Sequence, residues 1–175
     1  MSLSIELIVE YEGKVYRQKA NTLLKQFFQL LERHMGAKSV TVKKVDGADD
    51  TNDCSLYTFR INAGENNNDY GIVIGSGSTA VNKCSDYALE NKLNLDCSAV
   101  TVNSTTCDSE KIELSAYRSF TNNTGSTVEI KEVGLYCCGR STSYIHCIDR
   151  TVLTEPITLQ NGKTVKFMYM IRYVA

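Results

Sequence analysis

The sequence contains no tryptophan, one proline and only two histidines among its 175 residues. A nucleophile activated by an imidazole base would therefore have to use His34 or His146. The 19 lysines and arginines nearly balance the 20 aspartates and glutamates, so no positive excess favours nucleic acid or an anionic membrane as partner. No apolar run approaches the roughly 20 residues that a membrane-spanning helix needs. These absences favour a non-enzymatic protein that binds neither nucleic acid nor membrane.

The N-terminus and the cysteines argue against secretion. The opening, MSLSIELIVEYEGK, lacks the basic start and long apolar stretch of a secretory signal, which predicts synthesis in the cytoplasm. Seven cysteines without a C-x-x-C disfavour a secreted disulfide framework. Neighbouring cysteines of a strand point to opposite faces, which disfavours a zinc site at Cys137, Cys138, His146 and Cys147. We expect buried, reduced thiols and neither a metal nor another cofactor.

A glycine-rich stretch, GIVIGSGSTAVNKCSDYALENKL at 71–93, raises the question of a phosphate-binding loop. A P-loop needs a lysine after its last glycine, and a dinucleotide fingerprint needs a third glycine that opens a helix in a βαβ unit. The stretch has neither, because Gly77 is followed by Ser78 and Thr79. GIVIG is therefore predicted to be a strand that leads into an irregular segment. Gly75 and Gly77 then serve a positive φ or a close backbone approach.

The first 36 residues predict a hairpin and the one helix. Apolar residues alternate from Leu3 to Tyr11, and KVYRQ returns after a turn at Glu12-Gly13. In NTLLKQFFQLLERHMG, Asn21 is the expected N-cap and Gly36 the expected stop. The helix has an apolar stripe too wide to be left in water, so it docks on this chain's sheet or on a neighbouring subunit. The stripe contains Leu23, Leu24, Phe27, Phe28, Leu30, Leu31 and Met35.

The rest of the chain is a series of short segments with β-like alternation, separated by polar turns, which is typical of an antiparallel sandwich. The segments are SVTVKKV, CSLYTFRI, GIVIG, DCSAVTV, KIELSAYRSF, TVEIKEVGLYCC, SYIHCIDRTVL and VKFMYMIRYV. In KIELSAYRSF, one face is expected to carry Ile112, Leu114, Ala116 and Phe120. The predicted fold is mainly β: an antiparallel β-sandwich, jelly-roll or Ig-like, with an N-terminal hairpin and one amphipathic helix. We expect a single domain over 1–175, with hairpin and helix at about 1–36 and the sandwich at about 37–175.

Three local signals add detail to this prediction. In TVEIKEVGLYCC, the apolar phase shifts between Ile130 and Val133, which predicts a bulge that turns Glu132 outward. Glu155-Pro156 predicts a bend or a sheet edge. Asn161-Gly162 predicts a hairpin turn before the last strand.

Five segments occur in a suggestive order from Ala20 onward. They are ANTLLKQFFQLLERHM, GIVIGSGSTAV, SDYALENKL, AYRSFTNNTGSTVEIKEVGLY and IDRTVLTEPITLQNGKTVKFMYMIRY. This pattern resembles the small virion structural proteins of tailed bacteriophages. The resemblance implies a non-enzymatic component of the capsid, collar or tail that is made in the host cytoplasm. Its implied partners are copies of itself and other virion structural proteins.

Candidate assembly residues lie on the helix and on two strands. On the helix they are Leu23, Phe27 and Leu30; on the strands they are Glu132, Asp149 and Arg150, for which a simple surface ion pair is the alternative. Two other functions stay open. One is a carbohydrate- or receptor-binding sandwich that presents some of its ten tyrosines, for instance to a host-surface glycan. The other is a small thiol enzyme that uses Cys147 or another thiol with His146.

Overall fold

The computed structural model describes residues 2–20, 23–36, 40–51, 59–139 and 141–174. Within these ranges, no helix has the length and apolar character needed to cross a bilayer. The predicted segment CSLYTFRI lies largely outside the described ranges, and Asn21 and Cys54 lie wholly outside them. The elements are β1 (Ser2–Tyr11), β2 (Lys14–Lys19), α1 (Lys25–His34), β3 (Val42–Lys43), β4 (Asp49–Asp50), β5 (Gly71–Gly75), β6 (Lys92–Leu93), β7 (Asp96–Cys97), β8 (Thr101–Val102), β9 (Thr106–Cys107), β10 (Lys111–Thr121), β11 (Val128–Cys138), β12 (Ile145–Leu159) and β13 (Thr164–Val174).

Two antiparallel sheets pack together, which confirms the predicted mainly β class. The larger sheet follows the order β2-β1-β13-β10-β7, with β8 and β9 also paired to β10, and the smaller follows β12-β11-β5-β6. Strands β3 and β4 form a separate pair. The core lies between the sheets, where Leu7 and Phe167 of the larger one share a buried cluster with Ile72, Val133 and Leu159 of the smaller one.

The N-terminal hairpin is confirmed and is part of the larger sheet. Glu12 and Gly13 have φ values of 48° and 75°, as a type I′ turn requires of its two central residues. β1 also pairs with β13 along nearly its whole length, from Ser2 opposite Val174 to Glu10 opposite Lys166. The two ends of the chain are therefore neighbours in one sheet.

The helix starts later than predicted and buries a different face. Its N-cap is Leu24, whose backbone N–H donates to the carbonyl of Ile148 at 2.9 Å and so keeps the chain against β12. Gly36, with φ 98°, confirms the predicted stop. The buried residues of α1 are Gln26, Leu30 and Arg33, whereas three apolar residues of the predicted stripe are exposed: Phe28, Leu31 and Met35.

The register between β11 and β12 shifts where the sequence predicts an irregularity. Ile130 lies opposite Ile157, but Glu132 lies opposite Val152, so the extra residues belong to β12 around Pro156. β12 is an edge strand, where a residue without an N–H costs no ladder hydrogen bond, which confirms the prediction for Glu155-Pro156.

The predicted hairpin at Asn161-Gly162 is wrong, although the turn itself forms. Lys163 N donates to Gln160 O at 3.1 Å, and Gly162 has φ 77°. The turn carries the chain from β12 in the smaller sheet to β13 in the larger one. A turn sequence such as Asn-Gly predicts that the chain reverses direction. It does not predict which strands pair, because pairing depends on how the whole chain divides between the two sheets.

Candidate functional site

The glycine-rich stretch wraps around a carboxylate of its own chain, that of Glu132. Gly77 N and Asn91 N donate to Glu132 Oε1 at 3.1 and 2.9 Å, and Glu90 N donates to Oε2 at 3.2 Å. Glu132 is completely buried. The prediction that the bulge turns it outward is therefore wrong, because residues 76–91 cover this end of the smaller sheet.

A second carboxylate, that of Glu90, takes the next amides of the loop. Its Oε2 accepts from Ser78 N at 2.9 Å, Thr79 N at 3.0 Å and Thr79 Oγ1 at 2.9 Å. The hydrogen bonds from Thr79 lower the pKa of Glu90. Amide groups that would cradle phosphate in a nucleotide-binding loop here bind side chains of the same protein.

Arg150 joins this loop to the smaller sheet. Its Nε donates to Glu132 Oε2 at 2.8 Å and its Nη1 to Asp86 Oδ2 at 2.7 Å, while Nη2 reaches Thr79 O at 3.2 Å. Burial opposes the charge of Arg150, but the hydrogen bonds to Glu132 and Asp86 outweigh it, and the net effect raises its pKa. Glu132 and Arg150 thus form a buried pair rather than a surface one.

Asp149 points away from Arg150, towards the larger sheet. Its Oδ2 accepts from Tyr169 Oη at 2.7 Å and from Thr151 Oγ1 at 3.0 Å, and the residue is buried. The alternation of β12 separates two predicted interface residues onto opposite sides. Glu132, Asp149 and Arg150 therefore lie inside the protein, as does Leu30, whereas Leu23 and Phe27 are half-buried.

Replacing Gly75 by alanine should lower the free energy of unfolding by about 1–3 kcal/mol, the usual cost of overpacking. A Cβ at this position would lie 2.5 Å from Glu132 Oε1 and 2.7 Å from the carbonyl of Asn91. This confirms the predicted close approach. Urea unfolding would measure the effect, with Gly64→Ala as the control, since a Cβ there meets nothing within 4 Å. Equal effects of the two variants would contradict the role assigned to Gly75.

His146 and Cys147 do not have the geometry of a catalytic pair. His146 Nε2 lies 3.2 Å from Asp50 Oδ2, whereas Cys147 Sγ donates to the carbonyl of Asp149 at 3.2 Å. Burial lowers the pKa of His146 to about 4 and raises that of the Cys147 thiol well above its usual range. An activated nucleophile needs the opposite shift of the thiol. Among the described residues, no group of three or more His, Cys, Asp or Glu is placed to hold a metal ion.

Arg118 is a buried cation that sequence reasoning missed. It is completely buried, and its five N–H groups donate to the carbonyls of five residues, at 2.7–3.3 Å: Gly64, Asn67, Tyr70, Ile72 and Ser98. Burial lowers its pKa. Its position between Ala116 and Phe120, on the inward face of β10, is the signal that could have identified it. Arg118 holds the polar loop before β5 against the sheet.

The same inward face becomes exposed at the opposite end of the larger sheet. Leu3, Tyr173 and Ile112 are register neighbours on β1, β13 and β10, and they are 68%, 38% and 43% exposed. Two rows further along, Leu7, Tyr169 and Ala116 face the same way and are at most 5% exposed. The three long strands thus extend beyond the smaller sheet.

We call this uncovered face the apolar sheet end. It contains Leu3, Ile5, Ile112, Leu114, Ile171 and Tyr173. The side chains of Glu6, Glu113 and Arg172 belong to the opposite parity of these strands, so the charges lie on the outer face. An exposed, uncharged face that continues the core is suited to contact with another protein.

Searches of known protein families, curated proteins and solved structures find no match to this chain.

Proposed function

We propose that this protein is a non-enzymatic structural component of a tailed-bacteriophage virion, which assembles by protein–protein contacts in the capsid, collar or tail. The segment pattern from Ala20 onward supports the virion context. The apolar sheet end supports assembly, because its six side chains continue the core face without a covering sheet. Copies of the same chain and other virion proteins are its proposed partners.

The size of the apolar sheet end determines what kind of contact to expect. Burying a large apolar side chain gains about 1.5–3 kcal/mol relative to full exposure, and these residues are already partly covered. Six residues fall well short of the roughly 20–30 per side of a stable dimer. A single contact is therefore weak, and repetition in a symmetric array would make it effective.

Ile112→Glu should weaken self-association by at least about tenfold, because it places a charge in an apolar contact. Sedimentation velocity over a range of concentrations would measure this. Val15→Glu is the matched control: Val15 is also exposed and apolar but lies on β2, outside the apolar sheet end. Both variants should unfold within about 0.5 kcal/mol of the wild type, since both positions are exposed.

Two results would contradict the proposal in different ways. A wild-type protein that is monomeric at every concentration, or an Ile112→Glu variant that associates normally, would remove the apolar sheet end as a contact. A tagged copy expressed during phage infection should purify with the particles at constant stoichiometry. Its absence from purified particles would exclude the virion role.

A further inference from the structure

A polar pocket lies beside the first turns of α1, away from the apolar sheet end. Its volume is about 340 Å³, and its walls come from α1, β3, β4 and the segment at 84–85. This volume lies at the lower end of the roughly 300–1,000 Å³ found for small-molecule sites. We call it the α1–β3 pocket.

Tertiary hydrogen bonds build the walls of this pocket. Lys25 N donates to the carbonyl of Lys83 at 2.9 Å, which joins the start of α1 to the turn before residues 84–85. Gln29 Nε2 donates to Thr41 O at 2.7 Å, which joins α1 to β3. Lys43 Nζ lies 2.9 Å from Asp49 Oδ1, which joins β3 to β4. The pocket is therefore formed before any ligand arrives.

Gln26, in the wall of the pocket, has an unsatisfied polar group. Only 3% of the residue is exposed, and its Oε1 accepts no hydrogen bond. An unsatisfied buried acceptor is unfavourable. The amide can turn about its terminal bond, where rotation is soft, and so present either polar atom to the pocket. A ligand hydroxyl can pair with whichever of the two atoms faces the pocket, since a hydroxyl both donates and accepts.

The other lining groups specify the charge of the ligand. Among the described residues, the lining includes two lysines, Lys25 and Lys43, and one carboxylate, that of Asp49, which already pairs with Lys43. Lys25 forms no ion pair with any described residue. Its ammonium group can therefore bind an anion. Thr41 and Ser85 add hydroxyls. The described residues of the lining include no aromatic ring, so recognition by them would use hydrogen bonds rather than stacking.

We propose that the α1–β3 pocket binds an acidic monosaccharide unit, a sugar ring with a carboxylate or a phosphate group. The anionic group lies at Lys25, and ring hydroxyls contact Gln26, Thr41 and Ser85. No residue of the apolar sheet end lines the pocket, so binding does not depend on the assembly contact. A negative result for the assembly contact would therefore leave sugar binding testable, and a negative result for sugar binding would leave the assembly contact testable.

Titration calorimetry of the full chain with four probes tests this assignment. Glucuronate and glucose 6-phosphate distinguish a carboxylate from a phosphate, while glucose and inorganic phosphate supply the ring and the anion alone. We expect one acidic sugar to bind at least about tenfold more tightly than glucose and than inorganic phosphate. Equal binding of glucose, equal binding of inorganic phosphate, or no binding of either acidic sugar would overturn the proposal.

Variants locate the site. Lys25→Gln should weaken the binding of the acidic sugar at least about tenfold. The Tm of this variant should equal that of the wild type, because Lys25 is exposed. Lys14→Gln is the matched control, since Lys14 is also an exposed lysine but lies on β2. Gln26→Leu, which keeps the volume without the amide, should also weaken binding. Wild-type affinity of Lys25→Gln would overturn the assignment.

Discussion

Arg118→Met should lower the free energy of unfolding by about 4 kcal/mol, the size of effect expected when a buried polar network loses its centre. Arg118 donates to five carbonyls, and two of these bonds, to Tyr70 O and Ile72 O, are buried. Methionine fills similar space but leaves these carbonyls without their donor. Urea unfolding monitored by circular dichroism would measure the loss.

Two comparisons make the expectation for Arg118 specific. Arg118→Lys should be nearly as destabilising, because an ammonium has three donors and lacks the planar fork that reaches five acceptors. Arg17→Met, which removes an exposed pair with Glu6, should cost no more than about 1 kcal/mol. Hydrogen exchange should also accelerate in residues 64–72 of the Arg118 variants. Unchanged hydrogen exchange in residues 64–72 would show that Arg118 does not hold this loop in place.

Arg150→Met should lower the free energy of unfolding by about 3 kcal/mol, because it leaves the carboxylate of Glu132 buried without its countercharge. Glu132 keeps three backbone donors, which places the expected loss at the lower end of the range for broken buried pairs. Chemical denaturation at neutral pH would measure it. Lys163→Met, which breaks an exposed pair with Glu12, is the control and should change little.

The double variant Glu132→Gln with Arg150→Met tests whether the two residues act together. Because glutamine needs no countercharge, the double variant should be less destabilised than the sum of the single ones. Additive losses would show that Arg150 stabilises the protein mainly through Asp86 and Thr79. Limited proteolysis within residues 76–91 should increase in Arg150→Met, since this arginine holds the loop to β12.

Local sequence patterns predicted much of the fold because they report properties that a segment has by itself. The Glu12-Gly13 turn and the Gly36 helix stop follow from backbone conformations that few residues adopt at low cost. The strand GIVIG follows from its composition, and the alternation of β10 and β13 follows from a half-buried sheet. Each of these features leaves its mark within a single segment of the sequence.

The candidate sites needed the tertiary structure. Glu132 was predicted to point outward because the sequence of its own strand carries no information about residues 76–91, which fold over it. The same limit applies to Asn161-Gly162, where the turn is local but the pairing of β12 and β13 with different partners is not. In α1, the buried positions of Gln26 and Arg33 depend on what packs against the helix, so the stripe of apolar residues was an incomplete guide.

The sequence alone determined where the long strands lie, where the chain turns, and that the glycine-rich stretch lacks the residues of a nucleotide-binding loop. Only the tertiary structure decided what covers each face. Ile112 and Ala116 have the same parity on β10, yet one is exposed and the other is buried, since the smaller sheet covers only part of the larger one. Periodicity records that a strand has two faces. The extent of the opposite layer, formed by residues distant in sequence, determines which residues of the inner face stay uncovered and can contact a partner.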